Sequence, residues 1–250
     1  MKYKLGQNFL TDINTAKREV QYAEIKSDDI VLEVGPGKGI LTKILAEKAK
    51  KVIAVEIDKK LVEDLRRILP DNVELLNEDI LKIDLNKLSK FNKIVTNLPY
   101  QISSPFIFKI LEYNFEKAIL ILQKEFAERL VAEPGDKAYS RLTVSVFYKA
   151  YCEMLETVPK GRFNPVPKID SAIIEIIPRK YKPFELKDEE LFYDLVKKLF
   201  SHRRKKIKTI LKNKYRIESK DLPYLDYRVE KLDPKQIGLL SNELKKLLLL

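Results

Sequence analysis

The sequence predicts a doubly wound α/β sheet followed by a small helical C-terminal domain. Short β-branched apolar runs alternate with helical segments through the first part of the chain, which is typical of a parallel sheet with helices on both faces. A glycine-rich turn follows the run at residues 30–34, and after Pro178 lysine-rich helical patterns replace the strand-like runs. The 250 residues suffice for one large domain with a small appendage.

Each element follows from the spacing of apolar residues. A first helix is expected over residues 12–23, with Asp12 as its N-cap. The central strands are expected at 30–34, 52–55, 73–76, 94–96 and 118–122. The helices between them are expected at 41–49, 59–69 and 105–113. Ser104 is the expected N-cap of the last of these, with Pro105 at its first position.

The later part of the chain changes character. A helix is expected at 141–150, then two strands at 154–158 and 172–177 that flank a proline-rich loop. Helical patterns with lysine-rich faces cover 188–200, 201–215 and 234–248. Two prolines, at 178 and 183, bracket a charged linker, so the expected domains are residues 1–180 and 181–250.

The net charge of +11 is concentrated near the end of the sequence. Residues 180–250 contain 19 Lys and Arg against 11 Asp and Glu, a net charge of +8. Residues 195–217 contain ten basic residues and no acidic one. Such a concentration favours a polyanionic partner, with a merely solvated lysine-rich surface as the alternative.

Composition excludes several classes of site. One cysteine, Cys152, excludes an internal disulfide and a cysteine-based metal cluster, and one histidine, His202, argues against histidine catalysis or metal ligation. No apolar run approaches the roughly 20 residues of a membrane helix. The first residues lack the apolar stretch of a signal peptide. We therefore expect a cytoplasmic protein with no metal and no membrane partner.

Acidic side chains follow three successive strands of the expected sheet. Glu33 precedes a turn of the form G-x-G-x-G (Gly35, Gly37, Gly39), Glu56 ends the second strand, and Asp79 follows the third. Ligands of such sheets bind at the carboxyl ends of the strands, where Glu56 could accept from ribose hydroxyls and Asp79 from an adenine amino group. Alone, each acid could be a solvated loop residue and Gly35 an ordinary turn. Together they repel a pyrophosphate and suit a sulfonium cation, so S-adenosylmethionine is expected rather than NAD.

The tetrapeptide Asn97-Leu98-Pro99-Tyr100 follows the fourth strand. The Asn97 carboxamide oxygen and the Leu98 carbonyl can each accept a hydrogen bond from an exocyclic amino group. Tyr100 can stack on the face of a base. Pro99 fixes its own φ and biases Leu98 toward an extended conformation, so the Leu98 carbonyl is held in one direction. The segment therefore predicts a binding site for a flat base that carries an amino group.

With residues 7–10 and the proline-rich segment 163–171, these motifs resemble the ribosomal RNA adenine N6-dimethyltransferase family, most closely its small-subunit (KsgA-type) enzymes. The resemblance covers about residues 3–178, and the basic helical tail fits the family's C-terminal domain. It implies a Rossmann-like S-adenosylmethionine-dependent methyltransferase sheet. The positions that match cofactor contacts in the family are Asn8, Leu10, Gly35, Glu56, Asp79 and Asn97, and Gly37 of the same turn is counted with them.

The resemblance also implies an activity, which is dimethylation of two adjacent adenosines in a loop of small-subunit ribosomal RNA within the immature small subunit. The expected catalytic set is Asn97, Leu98, Tyr100 and Phe163, with Phe163 as a second stacking face. A monomer is expected. The alternatives are a large-subunit resistance methyltransferase, a DNA adenine methyltransferase, and an assembly factor whose main role is not catalytic.

The basic tail is expected to bind RNA in this setting. Residues 201–208 are interpreted as part of a helix whose cationic side contacts phosphates, while Ile207, Ile210 and Leu211 face inward. The expected RNA contacts are Arg203, Arg204, Lys205, Lys206 and Lys208.

Overall fold

The computed structural model describes residues 8–218 and 220–248, so Gln7 of the N-terminal motif lies outside the described residues. The chain divides into two compact units. Unit 1 comprises the residues up to Ala127 together with Tyr151–Pro178, and unit 2 comprises Glu128–Ala150 together with the residues from Arg179 onward.

Nine strands and nine helices occur among the described residues. The strands are β1 (Phe9–Leu10), β2 (Ile30–Val34), β3 (Lys51–Glu56), β4 (Val73–Asn77), β5 (Lys93–Asn97), β6 (Lys117–Gln123), β7 (Ala150–Val158), β8 (Phe163–Asn164) and β9 (Ser171–Pro178). The helices are α1 (Ile13–Tyr22), α2 (Ile40–Ala46), α3 (Lys59–Leu65), α4 (Ser103–Ile110), α5 (Lys124–Val131), α6 (Arg141–Lys149), α7 (Glu189–Ser201), α8 (Ile207–Tyr215) and α9 (Pro234–Leu248).

The main sheet has the order β4-β3-β2-β5-β6-β9-β7. Strands β2 to β6 pair in parallel, and β9 pairs antiparallel with β6. The strand order reverses between β2 and β5, which is the switch point where sheets of this kind bind ligands. Helices α1 and α2 cover one part of the sheet, and Ala16, Leu45 and Ile119 lie in the core that they form with it. The predicted α/β fold class is confirmed.

The five expected central strands are present, each within one residue of its predicted ends. Asp12 caps α1 as predicted, because its carboxylate accepts the Thr15 N–H over 3.1 Å. The predicted cap at Ser104 is wrong, since α4 begins at Ser103 directly after a 3₁₀ turn and has Ile102 in the cap position. Pro105 is tolerated there because the first N–H groups of a helix have no partner within it.

Unit 2 has its own core of helical side chains. The expected domain boundary after residue 180 lies two residues from the observed break after Pro178. Residues 128–150 differ from the expected assignment, because they cluster with unit 2. They contribute Tyr139 and Tyr148 to the core that also holds Phe192, and the Tyr139 hydroxyl donates to the Leu232 carbonyl over 2.8 Å.

The predicted helix at 201–215 is wrong in its first part. Residues 202–206 form a turn between α7 and α8, and the helix begins only at Ile207. Lys206 forms an isolated β-bridge with Arg228, which holds the chain extended just before the helix. The inward positions Ile207, Ile210 and Leu211 are buried as predicted. None of the described helices has the length and apolar character that a membrane span requires.

Candidate active site

A cavity of about 370 Å³ lies in unit 1 at the carboxyl ends of β2, β3 and β5. Five segments that are distant in the sequence line it. They are residues 8–10, 33–38, 55–57, 78–80 and 97–102, joined by 40 and 41 at the start of α2. The predicted positions Asn8, Leu10, Gly35, Gly37, Glu56, Asp79, Asn97, Leu98 and Tyr100 all line this cavity.

Two glycines shape the turn that closes one side of the cavity. Gly35 has a φ of +68°, and a Cβ there would stand 3.3 Å from Cγ of Pro99. Gly37 has a φ of +57°, and a Cβ there would stand 2.7 Å from Cδ1 of Phe9. Positive φ and these close approaches both require glycine. The turn is therefore held between the Pro99 ring and the Phe9 ring, with backbone exposed to the cavity.

Glu56, at the end of β3, is buried and oriented by backbone donors. Its Oε1 accepts the Asp58 N–H over 3.0 Å, and its Oε2 accepts the Gly37 N–H over 3.4 Å. Burial raises the pKa of Glu56, and these two backbone hydrogen bonds oppose the rise. The carboxylate is thus tied to the glycine turn, and its position at the cavity wall suits acceptance from a pair of hydroxyl groups.

Asp79 forms the next part of the cavity wall. The Asp79 Oδ1 accepts the Leu81 N–H over 3.0 Å, which orients the carboxylate. Asn77 donates to the carbonyls of Glu56 and Ile57 over 2.9 and 3.3 Å, and so ties the ends of β3 and β4 together.

Ile57 and Ile80 line the cavity beside the acids and were not predicted as site residues. Ile57 is a half-exposed apolar side chain and Ile80 is buried. Both directly follow an acid, as Glu56-Ile57 and Asp79-Ile80. This repeated acid–isoleucine pair is the sequence pattern from which the two site residues could have been predicted. The two side chains supply apolar surface for a flat ring next to polar groups that fix its orientation.

The segment after β5 brings polar and aromatic groups to the cavity. The Asn97 Nδ2 donates to the Asn8 carbonyl over 3.4 Å, which leaves the carboxamide oxygen as the end that can accept from a ligand. The Leu98 N–H donates to the Ile121 carbonyl over 3.3 Å, and its side chain is buried. Pro99 has φ −55° and ψ 123°, as the predicted stiff turn requires.

Tyr100 is held by its hydroxyl, which shares a hydrogen bond of 2.7 Å with the Ser171 hydroxyl. Burial raises the pKa of Tyr100, although the bond to Ser171 opposes the rise, so the phenol stays neutral. The ring lines the cavity and is only partly buried. The ring is therefore accessible for stacking on a base that enters the cavity.

Phe163 is not among the residues that line the cavity, and its role as a second stacking face stays a prediction. Its strand β8 pairs antiparallel with β1, which places Phe163 opposite Leu10. The side chain is only 2% exposed and lies in the core of unit 1.

Glu33 is a cavity residue that was noted in the sequence motif but not predicted as a contact. It lies near the end of β2, is 1% exposed and lines the cavity. Burial raises the pKa of Glu33 to about 8, and repulsion from Glu56 adds to the rise. Its position in the sequence, just before the glycine turn, could have identified it as a site residue.

The cavity fits S-adenosylmethionine, the ligand expected from the sequence. Glu56 and Asp79 accept from hydroxyl and amino groups, and Ile57 and Ile80 provide apolar walls. The acids also favour a cation over a pyrophosphate. Among the described residues, no cluster of His, Cys, Asp or Glu is arranged to hold a metal ion.

The five predicted RNA contacts lie in unit 2 and differ in their surroundings. Arg203 is engaged within the unit, because it pairs with Glu230 at 3.2 Å and donates to the Lys137 carbonyl at 3.1 Å. Lys206 and Lys208 both pair with Asp226, at 3.1 and 2.7 Å.

Arg204 and Lys205 are exposed and form no ion pair within the described residues. Their charges are therefore the ones most available to an external anion.

Comparisons with known proteins show the family of the chain. Residues 1–246 match the family described as ribosomal RNA adenine dimethylase. A probable ribosomal RNA small subunit methyltransferase A of Thermococcus sibiricus is 51% identical over 214 residues, covering 84% of this chain and 75% of that protein. Its counterpart in Thermococcus onnurineus is 44% identical over 256 residues, covering 96% of this chain and 91% of that protein.

Two solved structures share the whole architecture. A dimethyladenosine transferase from Plasmodium falciparum superposes with a TM-score of 0.80 at 30% identity, covering 95% of this chain and 98% of that chain. The 23S rRNA methyltransferase ErmE superposes with a TM-score of 0.73 at 31% identity, covering 95% of this chain and all of that chain. Since the match to the family extends over nearly the whole sequence and includes the residues that line the cavity, the chain belongs to the ribosomal RNA adenine dimethylase family.

Proposed function

We propose that this protein transfers methyl groups from S-adenosylmethionine to N6 of two adjacent adenosines in a loop of small-subunit ribosomal RNA, within the immature small subunit. Use of S-adenosylmethionine and of ribosomal RNA belongs to the family. The choice of the small subunit is supported by the names of the Thermococcus relatives. The single observation that carries the proposal is that Asn97 and Tyr100 line the same cavity as Glu56 and Asp79.

Methyl transfer to N6 requires the protein to increase the nucleophilicity of the adenine amino group. The lone pair of an adenine amino group is delocalised into the ring. Acceptance of its two N–H groups by the Asn97 Oδ1 and the Leu98 carbonyl favours a more tetrahedral nitrogen, whose lone pair points away from the ring plane. S-Adenosylmethionine supplies a methyl group that is already activated on a positive sulfur. The amine then loses its proton to solvent, so no side chain acts as a dedicated base.

Stacking on Tyr100 would hold the adenine in place. A contact between a base and an aromatic ring contributes about 1–3 kcal/mol. The hydrogen bond to Ser171 holds the Tyr100 ring against the wall of the cavity. Because a base must leave its own stack to reach such a cavity, at a cost of a few kcal/mol, unpaired adenosines in a loop are the favoured targets.

Unit 2 would supply contacts to the RNA backbone that do not depend on sequence. Arg204 and Lys205 are exposed cations in the turn between α7 and α8. Phosphate contacts of this kind dominate affinity and depend on salt. Structured RNA is recognised mainly through its shape and backbone. We propose that a single copy of the chain acts on the RNA, which sedimentation of the free protein would test.

The test is transfer of radiolabelled methyl groups to immature small subunits, followed by analysis of the labelled nucleosides. We expect N6-dimethyladenosine from immature small subunits and little label in naked large-subunit RNA. The large-subunit RNA is the informative comparison because ErmE, at 31% identity, acts on 23S rRNA. Preferential labelling of the large-subunit RNA would contradict the proposal. Asn97→Ala serves as the catalytically impaired control for label from contaminating enzymes.

A further inference from the structure

Unit 1 contains two buried carboxyl groups that the proposed chemistry does not use. Glu19 lies on α1 and Glu33 on β2, with exposures of 0% and 1%. Within the described residues, both carboxyl oxygens of Glu19 lack a hydrogen-bond partner, and so does the Oε2 of Glu33. An ionised carboxylate that is buried and unpaired is strongly disfavoured, so such groups take up a proton.

The charges around this pair are negative. Burial is the main cause that raises the pKa of Glu33 to about 8, and Glu56 on β3 adds repulsion. The pKa of Glu19 is raised well above its usual range, first by burial and then by repulsion from Glu33. Burial therefore favours the protonated form of both groups in the free protein.

The cations near the pair are engaged elsewhere or exposed, and these include Lys38, which lines the cavity but is exposed. Arg18 on α1 pairs with Glu156, and Lys43 on α2 is exposed. The lysines on the adjoining strands pair with other acids: Lys51 with Glu74, Lys93 with Glu116, and Lys117 with Glu24 and Glu175. Lys51 and Lys93 are the first residues of β3 and β5, whereas Glu33 lies near the last residue of the parallel strand β2.

Glu33 differs from Glu19 in one respect that matters for ligand binding. Glu33 lines the cavity, whereas Glu19 does not. A cation that enters the cavity therefore lies beside two acidic residues of its wall, Glu33 and Glu56. S-Adenosylmethionine carries two positive groups, the sulfonium and the α-ammonium, against one carboxylate. A positive charge close to a carboxyl group favours its ionised form.

We propose that Glu33 is a further cofactor-facing residue, which is protonated in the free protein and gives up its proton when S-adenosylmethionine binds. The Glu33 carboxyl O–H bond breaks, the proton goes to solvent, and the carboxylate that remains compensates the positive charge of the cofactor. This proposal depends on the assignment of the cavity to the cofactor. Glu19 is buried in the same unit but does not line the cavity, so it is the matched control.

Proton release makes the affinity for the cofactor depend on pH. Where Glu33 is protonated in the free protein and ionised in the complex, Kd falls by up to about tenfold for each unit of rising pH. The effect levels off as the pH approaches the pKa of Glu33. The α-amino group of the cofactor titrates near pH 8 itself, at about 7.7–8.0 for a typical α-amino group. It does so equally for every variant, and comparison of variants removes its effect.

The experiment is isothermal titration of S-adenosylmethionine into the full chain at mildly acidic pH, in two buffers with different enthalpies of ionisation. We expect release of about one proton from the unmodified protein and from Glu19→Gln, and none from Glu33→Gln, by linkage. Glu33→Gln should also bind with a Kd that is nearly flat in pH. Glutamine has the size and neutrality of protonated Glu33, so folding should be retained, and circular dichroism checks this.

Equal proton release by the unmodified protein and Glu33→Gln would overturn the proposal, as would binding without proton release by the unmodified protein. Asp79→Asn separates this result from failure of the cavity assignment. It should weaken binding at every pH if the cavity holds the cofactor. Unchanged binding by Asp79→Asn would refute the cavity assignment, and the role of Glu33 with it.

Discussion

The side chain of Asn97 donates to the backbone carbonyl of Asn8 over 3.4 Å. The bond joins the end of β5 to the residue that precedes β1, although 89 positions separate the two in the sequence. It fixes which end of the carboxamide faces the ligand, because the amide nitrogen is engaged and the oxygen remains as the acceptor. The proposed role of Asn97 in orienting an adenine amino group depends on this arrangement.

Asn97→Ala should therefore impair methyl transfer more than it impairs folding. Loss of one oriented polar group at a reacting centre costs about 10²-fold or more in kcat. The measurement is single-turnover methyl transfer to immature small subunits, with circular dichroism as the check on folding. Asn14→Ala, at an exposed position on α1, is the matched control. Near-normal turnover of Asn97→Ala would contradict the mechanism.

Tyr100 should act through its ring rather than its hydroxyl. Tyr100→Phe removes only the hydrogen bond to Ser171, whereas Tyr100→Ala removes the stacking surface as well. We expect Tyr100→Ala to weaken transition-state binding by about 1–3 kcal/mol in kcat/KM for RNA, and Tyr100→Phe to lose much less. Steady-state kinetics with the two variants side by side measures the difference. Equal losses would show that the hydroxyl carries the effect.

Gly37→Ala should destabilise the glycine turn and weaken cofactor binding. The new Cβ would stand 2.7 Å from the Phe9 ring, at a φ of +57°. The backbone conformation alone costs an L-residue about 1–2 kcal/mol. Denaturant unfolding and titration of S-adenosylmethionine measure the two effects. Gly161→Ala is the control, since a Cβ there meets no atom within 4 Å, and it should leave both quantities nearly unchanged.

The double variant Arg204→Ala/Lys205→Ala should bind RNA more weakly, with a shallower dependence on salt. Loss of two phosphate contacts reduces the slope of log K against log salt by up to about 2. Arg203 is left in place because its pairing with Glu230 supports unit 2. The control is Lys48→Ala/Lys50→Ala, which removes two exposed lysines of unit 1. If both double variants bind RNA equally well, the role of the turn is refuted.

The stability of the free protein should fall as the pH rises, in the range where Glu33 is protonated only in the folded state. Its pKa rises from 4.5 in an exposed setting to about 8 in the fold. A group with a raised folded pKa contributes stability that is fully present below 4.5 and is lost as the pH rises toward about 8. Denaturant unfolding across this range should show a smaller loss for Glu33→Gln than for the unmodified protein. A loss of the same size in both would contradict the buried, protonated state of Glu33.

The central strands, the glycine turn and the acids that follow three of the strands could be predicted because they depend on local patterns. Apolar periodicity and turn residues act over a few positions, so β2 was predicted with the ends that the structure gives it. The order of the motifs was also sufficient to indicate the family, to which the chain belongs. Nine of the predicted cofactor and base contacts line one cavity. Seven of them lie at or after the ends of β2 to β5, and parallel strands end at the same edge of a sheet.

The mistakes lie where burial or pairing comes from residues far along the chain. Residues 201–206 have a helical composition, but the bridge from Lys206 to Arg228 and the pairing of Arg203 with Glu230 hold the chain in a turn. The burial of Phe163 also comes from distant pairing, that of β8 with β1, while its role in stacking stays a prediction.

By itself, the sequence determined the fold class, the family and the residue types at the cofactor end of the sheet, because these are properties of local order and motif spacing. Only the tertiary structure decided which of those groups face the cavity and which are sealed in the core. It separated Glu33 from Glu19 and Tyr100 from Phe163, pairs of residues whose chemistry is alike. The physical reason is that exposure, and with it the charge of a carboxyl group, is set by neighbours that only folding brings together.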